Sequence, residues 1–196
     1  MSAEKLVVNS VEIKATIFDY KQTLGIGNVV TGRAVNSNPR PGLVPTLRWL
    51  NNLGVQIGVV SSGTEVSTRI MLDAAGAGQY VKPGYIFGED STRKVPKTVI
   101  KTQKVKGWRG LRGVTEEVPV TTYVDKYFYP KPHPDTIHFL LKEMGLTSEP
   151  QSVLYVGDDP YYDGQCAVDA GVQFALIPSM FSDGSINLLH FMQGLK

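Results

Sequence analysis

Apolar and polar positions along the chain follow two alternating periods. A run from about Val11 through Ala15, Ile17 and Phe18 stops abruptly at a carboxylate, Asp19. Short apolar runs bounded by turn residues predict buried strands. Val55 to Val60, Tyr85 to Phe87, Val153 to Val156 and Phe174 to Ile177 repeat the pattern. Between these runs the period changes. Leu43, Val44, Leu47, Leu50 and Leu53 recur at helical spacing and predict an amphipathic helix that Gly54 stops. A second helix is predicted from Thr64, as N-cap, through Ala75, with Glu65 in its first turn. A third starts at Pro134 and buries Ile137, Leu140, Leu141 and Met144. A fourth carries Ala167, Val168 and Ala170, and a last one spans Ser185 to Leu195. Strands alternating with helices predict an α/β protein, a Rossmann-like parallel sheet with helices on both faces.

Two stretches break the alternation. Gly25 to Arg40 is rich in Gly, Asn and Val and predicts a loop containing a short hairpin through Val29 and Val30. Glu89 to Pro130 has no helical period; Val95, Val99 and Val105 interleave with lysines, and Val118 to Tyr123 is strand-like. A structureless loop of that length is unusual inside a compact domain. A small basic β-type insert at roughly 89–128, within one domain spanning 1–196, is the expectation.

Charge sharpens that division. The net charge is +2, but Ser91 to Thr115 holds eight basic residues and no acid, which leaves 2 − 8 = −6 for the rest. With Trp108 among its charges, segment 93–112 could grip a phosphate backbone and stack a base, making nucleic acid a candidate partner. A solvated, charged hairpin is the alternative. Cys166 is the only cysteine, so the chain forms no internal disulfide. No run approaches the ~18 apolar residues of a membrane span. Met1 to Asn9 lacks the apolar core of a signal peptide. The expected location is cytoplasmic, away from membranes.

Polar groups stand at four strand ends: Asp19; Ser61 or Ser62; Lys131; and Asp158 with Asp159 and Asp163. In a parallel α/β sheet the carboxyl ends of the strands share one edge, so these groups can converge. Asp19 and Asp158 would make a hard-oxygen site suited to Mg²⁺. A lysine supplies a compact positive charge for a phosphoryl oxygen. A serine hydroxyl and backbone amides can hold the remaining oxygens. These parts suit phosphoryl transfer, which depends mostly on positioning and charge neutralisation.

The ordered set resembles the haloacid dehalogenase-like (HAD) superfamily of hydrolases. That family's first motif is an apolar strand followed by Asp-x-Asp-x-Thr and Leu or Val, here Asp19-Tyr20-Lys21-Gln22-Thr23-Leu24. Its second is a strand ending in Ser or Thr, here Val59-Val60-Ser61. Its third is a lysine, here in Lys131-Pro132-His133-Pro134, and its fourth matches Gly157-Asp158 through Asp163. Arg40-Pro41-Gly42 also fits the family's habit. The resemblance covers most of the chain except roughly residues 91–126.

The resemblance implies a Mg²⁺-dependent phosphohydrolase that acts on a phosphorylated substrate through an aspartyl phosphate. Asp19 would be the nucleophile, with Lys131 and Ser61 on the phosphoryl group. Ser62, Gly63, Thr23 and Arg40 would assist substrate binding. Asp19, the carbonyl of Lys21, Asp158 and Asp163 would serve the metal. The short intervals between motifs imply the minimally capped branch. One position departs: the acid two residues after the nucleophile is Lys21. An ordinary lysine is no base at neutral pH, and general acid–base help contributes ~10²–10⁴-fold. The expected activity is reduced by about that factor. Two rivals follow: a catalytically silent module that binds nucleic acid or a protein through the insert, and a phosphotransferase or dehalogenase-type enzyme needing no acid at position 21.

Overall fold

The computed structural model describes residues 5–105, 114–127, 131 and 133–195, and the backbone pairing of strands 92–105 and 114–127. Lys106, Trp108, Arg109 and Arg112 of the basic segment lie outside the described residues, as do 128–130 and Pro132. Two compact units form, one of them Thr92–Tyr127.

In the larger unit, β1 (Val7–Val8) and β2 (Val11–Glu12) make a small ribbon. β3 (Ala15–Asp19) follows, buried at every position. The expected single strand from Val11 is broken because Ile13 N–H turns back to the Leu6 carbonyl and Lys14 N–H donates to Ser152. β4 (Gly25–Val30) and β5 (Arg33–Pro39) form an antiparallel hairpin, longer than the sequence suggested. Its tip is Thr31-Gly32, both at positive φ, the geometry that a tight two-residue hairpin turn requires. α1 (Leu43–Asn52), β6 (Gln56–Val60), α2 (Glu65–Ala74) and β7 (Ile86–Phe87) come next. The Thr64 side chain caps α2 by accepting the Ser67 amide, as its sequence predicts.

After the insert come α3 (Asp135–Glu143), β10 (Val153–Gly157), α4 (Tyr162–Asp169), β11 (Gln173–Leu176), α5 (Met180–Asp183) and α6 (Leu188–Gly194). The last helix starts later than Ser185 because Asn187 caps it, accepting the amides of Leu189 and His190. Gly42 opens α1 at φ 81°, and a Cβ there would lie 2.4 Å from the Asn187 side chain. Glycine thereby lets the two helix starts meet. Among the described residues no helix is long and apolar enough to cross a membrane.

Five strands form one parallel sheet in the order β11-β10-β3-β6-β7, flanked by helices. The α/β reading of the sequence is thus observed. Chain order reverses between β3 and β10, so the crevice of the sheet opens at their carboxyl ends. Ile17, Phe18, Val59, Leu154 and Tyr155 are fully buried in the core behind that crevice. Burying one such side chain contributes ~1.5–3 kcal/mol.

The smaller unit is a ribbon of β8 (Thr92–Val105) and β9 (Val114–Tyr127), paired over its full length from Thr92↔Tyr127 to Val105↔Val114. Pro96 and Pro119 fall on the same class of cross-strand pair, opposite Tyr123 and Ile100. Proline is tolerated in a strand where its missing amide faces outward, and there it discourages further pairing.

Candidate active site

Asp19 stands at the end of β3 and is 2 % exposed. A carboxylate at that depth requires a partner, and Lys131 provides one. Its Nζ donates to Asp19 Oδ1 at 2.5 Å and to Asp163 Oδ1 at 2.6 Å. Burial opposes the charge on Lys131, but the two carboxylates outweigh it and raise its pKa, so the ammonium persists. Burial pushes Asp19 up to about 7; Lys131 pulls the other way, and the Asp163 and Asp158 charges add to the rise.

Asp163, from the first turn of α4, is saturated. Tyr155 Oη donates to its Oδ1 at 3.1 Å, and the Asp159 amide to its Oδ2 at 3.2 Å. Burial foremost, then the Asp163 charge, holds the Tyr155 phenol well above its usual range, so it remains a donor. A Cβ on Gly157 would lie 2.3 Å from Asp163 Oδ2. The glycine of the fourth motif therefore makes room for the acid six residues later. Half-buried Asp158 accepts Thr23 Oγ1 at 3.0 Å, and burial raises its carboxyl despite that bond.

Asp19, Asp158 and Asp163 each offer an oxygen within 4.8 Å of the others, the metal-competent cluster found among the described residues. Asp19 Oδ2 is buried without a hydrogen-bond partner. An unpaired carboxylate oxygen beside two further acids fits a hard divalent cation.

A cavity of about 290 Å³ opens over this cluster. Asp19, Lys21, Ser61, Ser62, Lys131, Asp158 and Asp163 line it, together with Gln22, Glu89, Thr136, Asp159 and Tyr162. Ser61 is buried, and its Oγ accepts the Gly63 amide at 3.0 Å. Lys21 is exposed at the rim. Gly63 belongs instead to a neighbouring cavity of about 390 Å³ between the β4–β5 hairpin and α2.

Two further expected substrate-binding residues also lie outside the site cavity. Thr23 is buried and spends its hydroxyl on Asp158. Arg40 is 1 % exposed and faces the back of the first-motif loop. Its Nε donates to the Thr23 carbonyl at 2.5 Å, and its Nη2 to Gln22 and Pro178 carbonyls at 2.7 Å each. It braces the loop and does not line the cavity. Sequence reasoning missed Tyr155, which sits on Asp163, and Ser179, whose hydroxyl donates to the Gln22 side chain of the first-motif loop, because contacts made through the fold leave no spacing signal.

Comparison with solved structures places this fold. The chain is similar to a HAD-superfamily hydrolase from Ehrlichia chaffeensis (TM-score 0.57, 14% identity, covering 94% of this chain and 98% of that one). It is similar also to a predicted phosphoglycolate phosphatase from Haemophilus somnus 129pt (TM-score 0.56, 17% identity, covering 87% and 91%). The fold is HAD-like. The family model for haloacid dehalogenase-like hydrolase matches residues 110–177, the part of this HAD-like fold that carries Lys131, Asp158 and Asp163. No curated protein sequence matches the chain.

Proposed function

We propose that the protein is a phosphomonoester hydrolase working through an aspartyl phosphate on Asp19. The observation that carries this is Asp19 itself: buried at the switch point, one oxygen held by Lys131, the other unpartnered beside Asp158. A carboxylate oxygen of Asp19 attacks phosphorus as the bond to the leaving oxygen breaks. Lys131 and Ser61 hold phosphoryl oxygens. Water then attacks phosphorus, the acyl phosphate bond breaks, and the Asp19 carboxylate and inorganic phosphate are released.

Asp19, Asp158 and the Lys21 carbonyl, with Asp163 beside them, would hold Mg²⁺, which supplies charge neutralisation at the phosphoryl group. Lys21 leaves no carboxyl at that position to protonate the leaving oxygen, so substrates with poor leaving groups turn over slowly. The similarity to a predicted phosphoglycolate phosphatase supports a small phosphomonoester as substrate. With p-nitrophenyl phosphate and Mg²⁺, the wild type hydrolyses and Asp19→Asn does not; equal rates would refute the proposal. Lys21→Asp raises turnover of an alkyl phosphate by up to ~10²-fold.

A second reading rests on the ribbon unit. Thr92–Tyr127 carries nine basic residues against Glu116, Glu117 and Asp125, a strongly positive segment. It supports binding of a polyanion such as nucleic acid, with an affinity that falls steeply with salt. Absence of RNA or DNA binding at low salt would remove this reading.

A further inference from the structure

Hydrolysis of an acyl phosphate needs a group that takes a proton from water. Five acids line the site cavity, and four of them are committed. Asp19 is the nucleophile of the proposed reaction. Asp158 and Asp163 belong to the carboxylate cluster, and both oxygens of Asp163 are occupied. Asp159 Oδ1 accepts the amides of Tyr161 and Tyr162 at 2.8 and 2.9 Å and so caps the start of α4. Glu89 remains. Among the described residues no hydrogen bond or ion pair engages its carboxylate, and it is exposed to water.

The backbone around Glu89 is tied down. Ser61 N–H donates to the Phe87 carbonyl, and Glu89 N–H to the Gly63 carbonyl at 3.0 Å. Asp90 Oδ1 accepts the Glu65 amide at 2.8 Å, and Ser91 Oγ accepts the Gly88 amide at 2.8 Å while donating to Glu65. A Cβ on Gly88 would lie 2.2 Å from the Glu65 nitrogen, so only glycine lets the turn seat against α2. Asp90 and Ser91 are thus consumed in anchoring the turn, and Glu89 is the acid it contributes to the cavity wall. β7 lies two strands from β3, roughly 10 Å at ordinary strand spacing. A phosphoryl group on Asp19, a water and a glutamate side chain span that gap together.

We propose that Glu89 is the general base for the second half-reaction, resting on the aspartyl-phosphate reading above. The water oxygen bonds to phosphorus while its proton passes to the Glu89 carboxylate. The phosphorus–Asp19 oxygen bond breaks, and its electron pair returns to the Asp19 carboxylate. The proton on Glu89 then leaves to solvent or to the departing phosphate.

Rapid-mixing kinetics with p-nitrophenyl phosphate and Mg²⁺ test this, because that leaving group departs without an acid. Glu89→Gln gives a burst of about one nitrophenolate per enzyme, followed by a steady state ~10²-fold below wild type. Glu89→Asp recovers part of the rate. A Glu89→Gln steady state within twofold of wild type overturns the assignment, and so does loss of the burst along with turnover. A wild type that hydrolyses nothing overturns the aspartyl-phosphate reading and this inference with it.

Discussion

Replacing Arg40 by methionine keeps most of its aliphatic volume and removes the guanidinium. The Thr23 and Pro178 carbonyls then lose their donor, while the Gln22 carbonyl loses one of two and keeps the Met180 amide. Hydrogen bonds to a charged group contribute ~1.5–3 kcal/mol each. Part of that returns, because burial already disfavours the charge and lowers the Arg40 pKa, with Asp158 and Asp183 opposing. Leaving two buried carbonyls unsatisfied at ~1–3 kcal/mol each sets the net cost at about 4 kcal/mol. With a urea slope near 2 kcal/mol/M, the unfolding midpoint falls by roughly 2 M at unchanged slope. Arg40→Lys retains a point charge that cannot reach all three carbonyls, so it falls in between. A midpoint shift below ~0.5 M for Arg40→Met would refute the bracing role.

Two further outcomes follow from the site. Gly157→Ala drives Asp163 away from the end of β10, since its Cβ would clash at 2.3 Å. It should cost ~1–3 kcal/mol by thermal unfolding and weaken Mg²⁺ binding by calorimetry; wild-type values would contradict the packing argument. In metal-free protein, Asp19 binds a proton in the folded state up to about 7 that the unfolded chain releases near its ordinary value of 3.8. The native state therefore holds more protons across that window, and stability declines as pH rises through it. Asp19→Asn should flatten this part of the stability–pH curve; an unchanged slope would show that Asp19 is not its source.

The parts of the fold that follow hydrophobic period were legible in the sequence. Each strand of the parallel sheet and each long helix corresponds to a run or stripe of apolar residues. Asp19, Ser61 and Asp158 stand at the carboxyl ends of parallel strands, which share one edge; Lys131, which follows no strand of that sheet among the described residues, and Asp163, on α4, line the same cavity. The β4–β5 hairpin was underestimated, since Gly27, Asn28, Asn36 and Ser37 dilute the alternation that marks a strand. Arg40 was misplaced because a buried arginine and a substrate-binding arginine read alike until their partners are known. Glu89 carries no signal of its own; its importance comes from the commitments of the acids around it.

The pairing of Thr92 with Tyr127 has a practical consequence. Cross-strand partners lie about 4.5–5.5 Å apart, so the chain departs and returns at nearly one point. That spacing is what a two-residue turn closes. The ribbon is in this sense a cassette: Thr92–Tyr127 can be cut out and the ends sealed, or exchanged for another hairpin. The trimmed protein would report the chemistry of the parallel-sheet unit alone, and the excised ribbon, carried on an unrelated scaffold, its affinity for polyanions.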